Sequence, residues 1–171
     1  MSLLEIKTYP EPVLRKIAKP IDDINADIVK LAEDMIETMR LSRGAGLAAN
    51  QVGIPIRMIV LESEADKKNR GNKNSNALIV INPVIVKSEG EEVAEEGCLS
   101  LPRFYEYIKR AKKISVKGLS IDKIPFEMQC DGHMARAFQH EIDHLNGVLF
   151  IDYLSPVKRN IFKKKYVKKD R

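Results

Sequence analysis

Apolar residues stand at helical spacing at Ile28, Leu31, Ala32, Met35 and Met39, behind an asparagine at position 25. This predicts an amphipathic helix, capped by Asn25 and ending near Ser42 and Arg43. The period then shortens. IPIRMIVL, residues 54–61, reads as a strand, the polar ESEADKKNRGNKNSNA that follows as a loop, and ALIVI and VIV on either side of Asn82-Pro83 as two more strands. EGEEVAEEG, residues 89–97, reads as a charged turn region leading into a strand with Cys98, and Ile114 with Val116 and Phe126 with Met128 and Cys130 alternate as antiparallel strands do. Helical spacing returns at Met134, Ala137, Phe138, Ile142 and Leu145, with Asp131 as the expected cap and Asn146-Gly147 as the stop. Ser155-Pro156 predicts a last helix, with Leu154, Val157 and Ile161 on its docked face. Helix, several strands, helix and tail, without repeats, give an α+β fold in which antiparallel sheets pack around a central helix.

Composition narrows the classes. A chain of 171 residues is expected to form a single catalytic domain, with residues 158–171 as a basic helix or tail. The formal charge is +5, yet residues 158–171 hold eight basic residues and one acidic, a net +7 that leaves the remainder at −2. Taken alone, such a tail is as readily a fraying solvated end as a binding element. Two cysteines argue against disulfides and for a reducing compartment. MSLLEIKTYP is too short and too charged for a signal peptide, and no apolar run approaches a bilayer span, so a soluble cytoplasmic protein with no membrane contact is expected.

The candidate chemistry lies in QHEIDH, residues 139–144. Residues four apart on a helix share a face, so His140 and His144 can each give one nitrogen to a single cation. Glu141 falls at the margin of that face, where a general base beside a bound water belongs. Two of only three histidines at this spacing, with glutamate between them, are rarely a surface accident. One more ligand would leave a tetrahedral ion an open corner, the arrangement of catalytic sites. Cys98, after Gly97 and the acidic Glu95 and Glu96, is the better of the two cysteines, because Cys130 sits in a strand pattern as a core residue. A lone buried cysteine is nonetheless as often a small apolar residue as a ligand. Gly44 and Gly46 suggest a phosphate loop only until the missing Gly-Lys-Ser/Thr is noted.

Three strings, GAGLAANQ (44–51), EGCLS (96–100) and QHEIDH (139–144), together resemble the signature motifs of the peptide deformylases in the same order and at similar separations. The likeness extends through PEPVLRKIAKP near the start and NGVLFIDYLSPVKR near the end. It implies removal of the formyl group from the N-terminal methionine of nascent proteins. It matches Cys98, His140 and His144 to the metal ligands and Glu141 to the catalytic carboxylate. Gln51 and the Leu99 backbone N–H match the groups that hold the carbonyl oxygen, and Gly46 matches the edge where substrate docks as an added strand. Ala45 stands where the family often has a larger aliphatic residue, which leaves the methionine pocket roomier, and Gly97 is expected to let the backbone approach the metal. The donor set accepts zinc, nickel, cobalt or iron(II), and the resemblance favours iron(II) in the cell. An enzyme of nascent chains also gives the basic tail a partner, ribosomal RNA. The rivals are a zinc metallopeptidase, which shares HExxH, and a non-enzyme, either a structural metal site or a ribosome-binding protein whose catalytic motifs have decayed.

Overall fold

The computed structural model describes residues 2–63 and 77–167, so most of the polar loop expected after Leu61, and residues 168–171 of the tail, lie outside the described residues. The elements run α1 (Ala26–Leu41), β1 (Gly46–Ala48), β2 (Met58–Leu61), β3 (Leu78–Glu89), β4 (Glu92–Cys98), β5 (Leu101–Arg110), β6 (Lys113–Leu119), β7 (Pro125–Asp131), α2 (Gly132–Leu145) and α3 (Pro156–Val167). The fold is α+β, as expected. Asn25 caps α1 by accepting the Ile28 N–H at 3.1 Å. Five strands form an antiparallel sheet in the order β1-β2-β3-β6-β7, and β4 pairs only with β5. The β4–β5 hairpin is thus inserted between two paired strands, leaving the large sheet at Glu89 and rejoining it at Lys113.

Strand alternation explains how both helices are held. In β2, Ile59 and Leu61 join the cluster of Ala135, Phe138, Ile142 and Leu145 from α2, whereas Met58 and Val60 join that of Ala32, Met35 and Met39 from α1. The sheet is therefore covered on both faces, and its MIVL run is apolar without interruption because neither side meets water. Each such large side chain contributes about 1.5–3 kcal/mol by leaving water. A third cluster joins Leu101 and Ile108 of the hairpin to Leu14, Phe150 and Phe162.

Several expectations need correction. The segments on either side of Asn82-Pro83 form one strand, β3, whose register shifts between Ile81 and Val84. Asn82 takes φ 50° there, and its side chain holds both the N–H (2.9 Å) and the carbonyl (2.8 Å) of Ile21, so the irregularity is a tie point, not a break. The charged 89–97 region is mostly strand β4, with only its start forming a turn. Asp131 makes no side-chain cap to α2; it is still paired with Lys113 in the β7 ladder, so the chain passes from strand to helix without a capping turn. In α3, Val157 and Ile161 are 69% and 56% exposed, and Phe162, at 1%, docks the helix with Tyr166.

Candidate metal centre

The helix α2 and the end of β4 converge on one point. Cys98, His140 and His144 each offer a donor atom, all within 4.8 Å of one another. Cys98 Sγ lies 3.3 Å from His144 Nε2. Thiolate and imidazole bound tetrahedrally to a single first-row ion stand about 3.5 Å apart, so these donors are already spaced for one. Gly147, in left-handed geometry at φ 71°, ends α2 one turn beyond His144 and packs its Cα against the Arg15 carbonyl, which fixes the end of the helix that carries the histidines.

The surrounding charges suit a cation. His140 Nδ1 lies 3.0 Å from Glu96 Oε2, which leaves its Nε2 for the cluster. Burial works against a charge on His140, yet Cys98, Glu96 and Glu141 carry its pKa well above the usual imidazole range. Burial, with the charges on His140 and Arg110 added to it, holds His144 well below it. The acidic groups around His140 thus favour one positive charge in the cluster, and burial disfavours a second. Glu96 itself is kept well below the carboxylate range, against its burial, by hydrogen bonds from His140 and Arg110. Arg110 binds it twice, at 2.8 and 3.0 Å, and Arg136 adds a third contact at 2.7 Å. Arg136 also donates to the Ile108 and Glu92 carbonyls, which ties α2 to both strands of the hairpin. Arg110 goes on to Asp143 Oδ2 at 2.5 Å, and Tyr153 donates to the same oxygen.

Glu141 is 5% exposed, and its Oε2 has no hydrogen-bond partner among the described residues. Burial pushes its pKa up to about 7, the value that suits a group which must take and return a proton near neutrality. A methyl group at Gly46 would meet Glu141 Oε1 at 2.6 Å, so β1 passes this close to the carboxylate only because residue 46 has no side chain. Gln51 accepts the Ala48 N–H at 2.9 Å through Oε1, which turns its Nε2 toward Ser100 Oγ (3.1 Å) and Cys98 Sγ (3.5 Å).

A cavity of about 580 Å³ opens beside the cluster, lined among others by Ala45, Gly46, Gln51, Gly97, Cys98, Leu99, His140 and Glu141. Every residue singled out from the sequence except His144 lies on its wall, and His144 sits behind it against Cys98. At Gly97 the space a side chain would take is filled by the Tyr105 ring, 2.5 Å from the would-be Cβ. The sequence reading missed the roles of Glu96, Arg110, Arg136 and Asp143. The one available signal was alternation in β4, which turns Glu96 inward with Ala94 and Cys98 and leaves Glu95 exposed.

The sequence model described as "Polypeptide deformylase" matches residues 3–160. The chain is 48% identical to a peptide deformylase of Thermodesulfovibrio yellowstonii over 166 residues, 97% of this chain and 98% of that one. Among solved structures it is similar to a peptide deformylase from Legionella pneumophila, with TM-score 0.89, 41% identity and coverage of 99% and 96% of the two chains. It is likewise similar to one from Ehrlichia chaffeensis in complex with actinonin, with TM-score 0.89, 37% identity and coverage of 100% and 99%.

Proposed function

The chain belongs to the polypeptide deformylase family, and we propose that Cys98, His140 and His144 hold the divalent cation of this metal-dependent enzyme, with Glu141, Gln51 and Leu99 acting beside it. Peptide deformylases remove the formyl group from the N-terminal methionine of new proteins and release formate. The observation that carries the residue assignment is the convergence of three donors on one point, next to a buried carboxylate whose Oε2 has no protein partner.

A divalent cation held by Cys98, His140 and His144 would supply a water whose pKa falls from 15.7 to about 7 and would polarise the formyl carbonyl. Glu141 takes the proton that water gives up and returns it to the amine nitrogen as the C–N bond breaks. One water is consumed, and formate and a free methionine N-terminus result. The Gln51 amide and the Leu99 N–H stabilise the charge that grows on the carbonyl oxygen; a donor of this kind is typically worth about 2.7–4 kcal/mol. The substrate lies extended along β1 near Gly46, with its methionine side chain in the cavity that Ala45 helps to line. Iron(II) is the proposed cellular ion, supported by the resemblance, while zinc, nickel and cobalt fit the same donors. Actinonin, which the Ehrlichia chaffeensis structure contains, is expected to bind in the same cavity.

The work is done in the cytoplasm, where formylated chains emerge; consistent with this, neither cysteine is in a disulfide and no described helix is long and apolar enough to cross a membrane. The basic outer face of α3 contacts ribosomal RNA, an assignment supported by the +7 of residues 158–171. Replacing Lys163, Lys164 and Lys165 with glutamate should lower co-sedimentation with ribosomes at low salt, and equal co-sedimentation would count against it. Removing α3 is the poorer test, because Phe162 is part of the core.

For the reaction itself, protein purified without oxygen and loaded with iron, nickel or cobalt should release free amine from formyl-Met-Ala and leave an unblocked internal peptide intact. Cleavage of the internal peptide would instead support a metallopeptidase.

A further inference from the structure

The deformylase reading accounts for the inner end of the cavity, but its mouth carries charges that the reaction does not use. Arg43 and Arg103 both line the cavity, both are exposed, and among the described residues neither has an ion-pair or hydrogen-bond partner for its guanidinium. They come from two segments that touch. Arg43 precedes Gly44, whose Cα packs against the Leu99 side chain, and Arg103 follows in the strand that starts two residues beyond Leu99.

The backbone at both positions is unusual. Arg43 takes φ 58° at the end of α1, where the next N–H, that of Gly44, reaches back to the Met39 carbonyl at 2.9 Å; Arg103 takes φ 62°. Left-handed geometry of this kind suits glycine, so what each arginine adds is its side chain. The other cation on the wall, Arg136, is consumed by Glu96 and two carbonyls. Of the carboxylates there, Glu96 is held by Arg110 and Arg136, and Glu141 faces the metal cluster. That leaves one free acid, the exposed Glu95, against two free guanidinium groups.

A formylated peptide with its formyl group at the cluster and its methionine in the cavity must leave past this rim. Resting on the deformylase reading, we propose that Arg43 and Arg103 make the mouth favour formylated N-termini with acidic residues immediately after the methionine. The effect is on binding, because the two exposed guanidinium groups would meet the residues after the methionine; it should enter KM and leave kcat alone.

The test uses the metal-loaded full chain and three peptides, formyl-Met-Ala-Ser, formyl-Met-Asp-Asp and formyl-Met-Lys-Lys. The acidic peptide should exceed the basic one in kcat/KM by about five-fold, the scale of two exposed charge contacts. That ratio should shrink toward one in about 0.5 M salt, collapse in the double variant Arg43→Gln, Arg103→Gln, and widen in Glu95→Gln. A wild-type ratio of one, a ratio favouring lysine, a preference indifferent to salt, or one that survives in the double variant would overturn the proposal. If the double variant does not fold, the salt titration of the unaltered protein decides alone. Turnover of none of the three peptides would bring down the deformylase reading itself, a failure distinct from a flat ratio with all three turned over.

Discussion

Two helices in the C-terminal half use their polar residues in opposite ways. On α2, Arg136, Glu141 and His144 are buried and His140 is nearly so, and Arg136 and both imidazoles contact groups on the β4–β5 hairpin. On α3, Lys163, Lys164 and Lys165 and two aliphatic residues face solvent, and attachment rests mainly on Phe162 and Tyr166 against Tyr9 and Phe104, with Lys158 paired to Glu106 and the Tyr166 hydroxyl donating to the Pro102 carbonyl. The difference follows from solvation. An unpaired buried charge costs several kcal/mol, so Arg136 and His140 are each given a partner on the hairpin, whereas Glu141, which lacks one at Oε2, is pushed by burial toward its neutral form. α3 meets that demand only at Arg159, whose guanidinium donates to the Asp152 and Leu154 carbonyls, and its aromatic contacts need area more than orientation.

The contrast breaks most visibly at Glu141. Glu141→Gln should retain the metal and lose about 10²–10⁴-fold in turnover, the usual contribution of a positioned general acid/base; near-normal turnover would remove the carboxylate from the mechanism. Next comes Arg136→Met, which strands part of the charge on Glu96 and should cost about 3–5 kcal/mol in urea unfolding. A loss below 1 kcal/mol would mean that Arg110 alone satisfies Glu96. Gly46→Ala puts a methyl group against Glu141 and Leu61 and should destabilise by about 1–3 kcal/mol. It should also depress turnover more than affinity, because the carboxylate is what must move. The smallest effect belongs to α3: Ile161→Ala should fall within about 0.5 kcal/mol of the parent, since the side chain is already in water. A larger loss would show that this face is covered.

The same contrast explains what could be read from the sequence. The two histidines were legible because their relation is local, four residues apart on one helix. The α+β class was legible from the changes of period. Cys98 was ambiguous by pattern alone, because its meeting with His144 joins residues 46 apart in the chain, which no local period records. Arg110 and Arg136 were missed for the same reason, as each is defined by an acid on another element. β4 was hidden by its glutamates, which read as a turn although Glu96 points inward. The docking face of α3 was misread because the sequence offers two stripes at helical spacing, Val157 with Ile161 and Phe162 with Tyr166. The aromatic pair buries more area and wins.

The central claim is that one thiolate and two imidazoles share a single ion. Metal content per chain after exhaustive dialysis, compared between Cys98→Ala and Cys130→Ala, tests it most directly, because both variants lose a cysteine but only one loses a proposed ligand. Parent protein and Cys130→Ala should each hold close to one ion per chain, and Cys98→Ala almost none. Full occupancy in Cys98→Ala would contradict it.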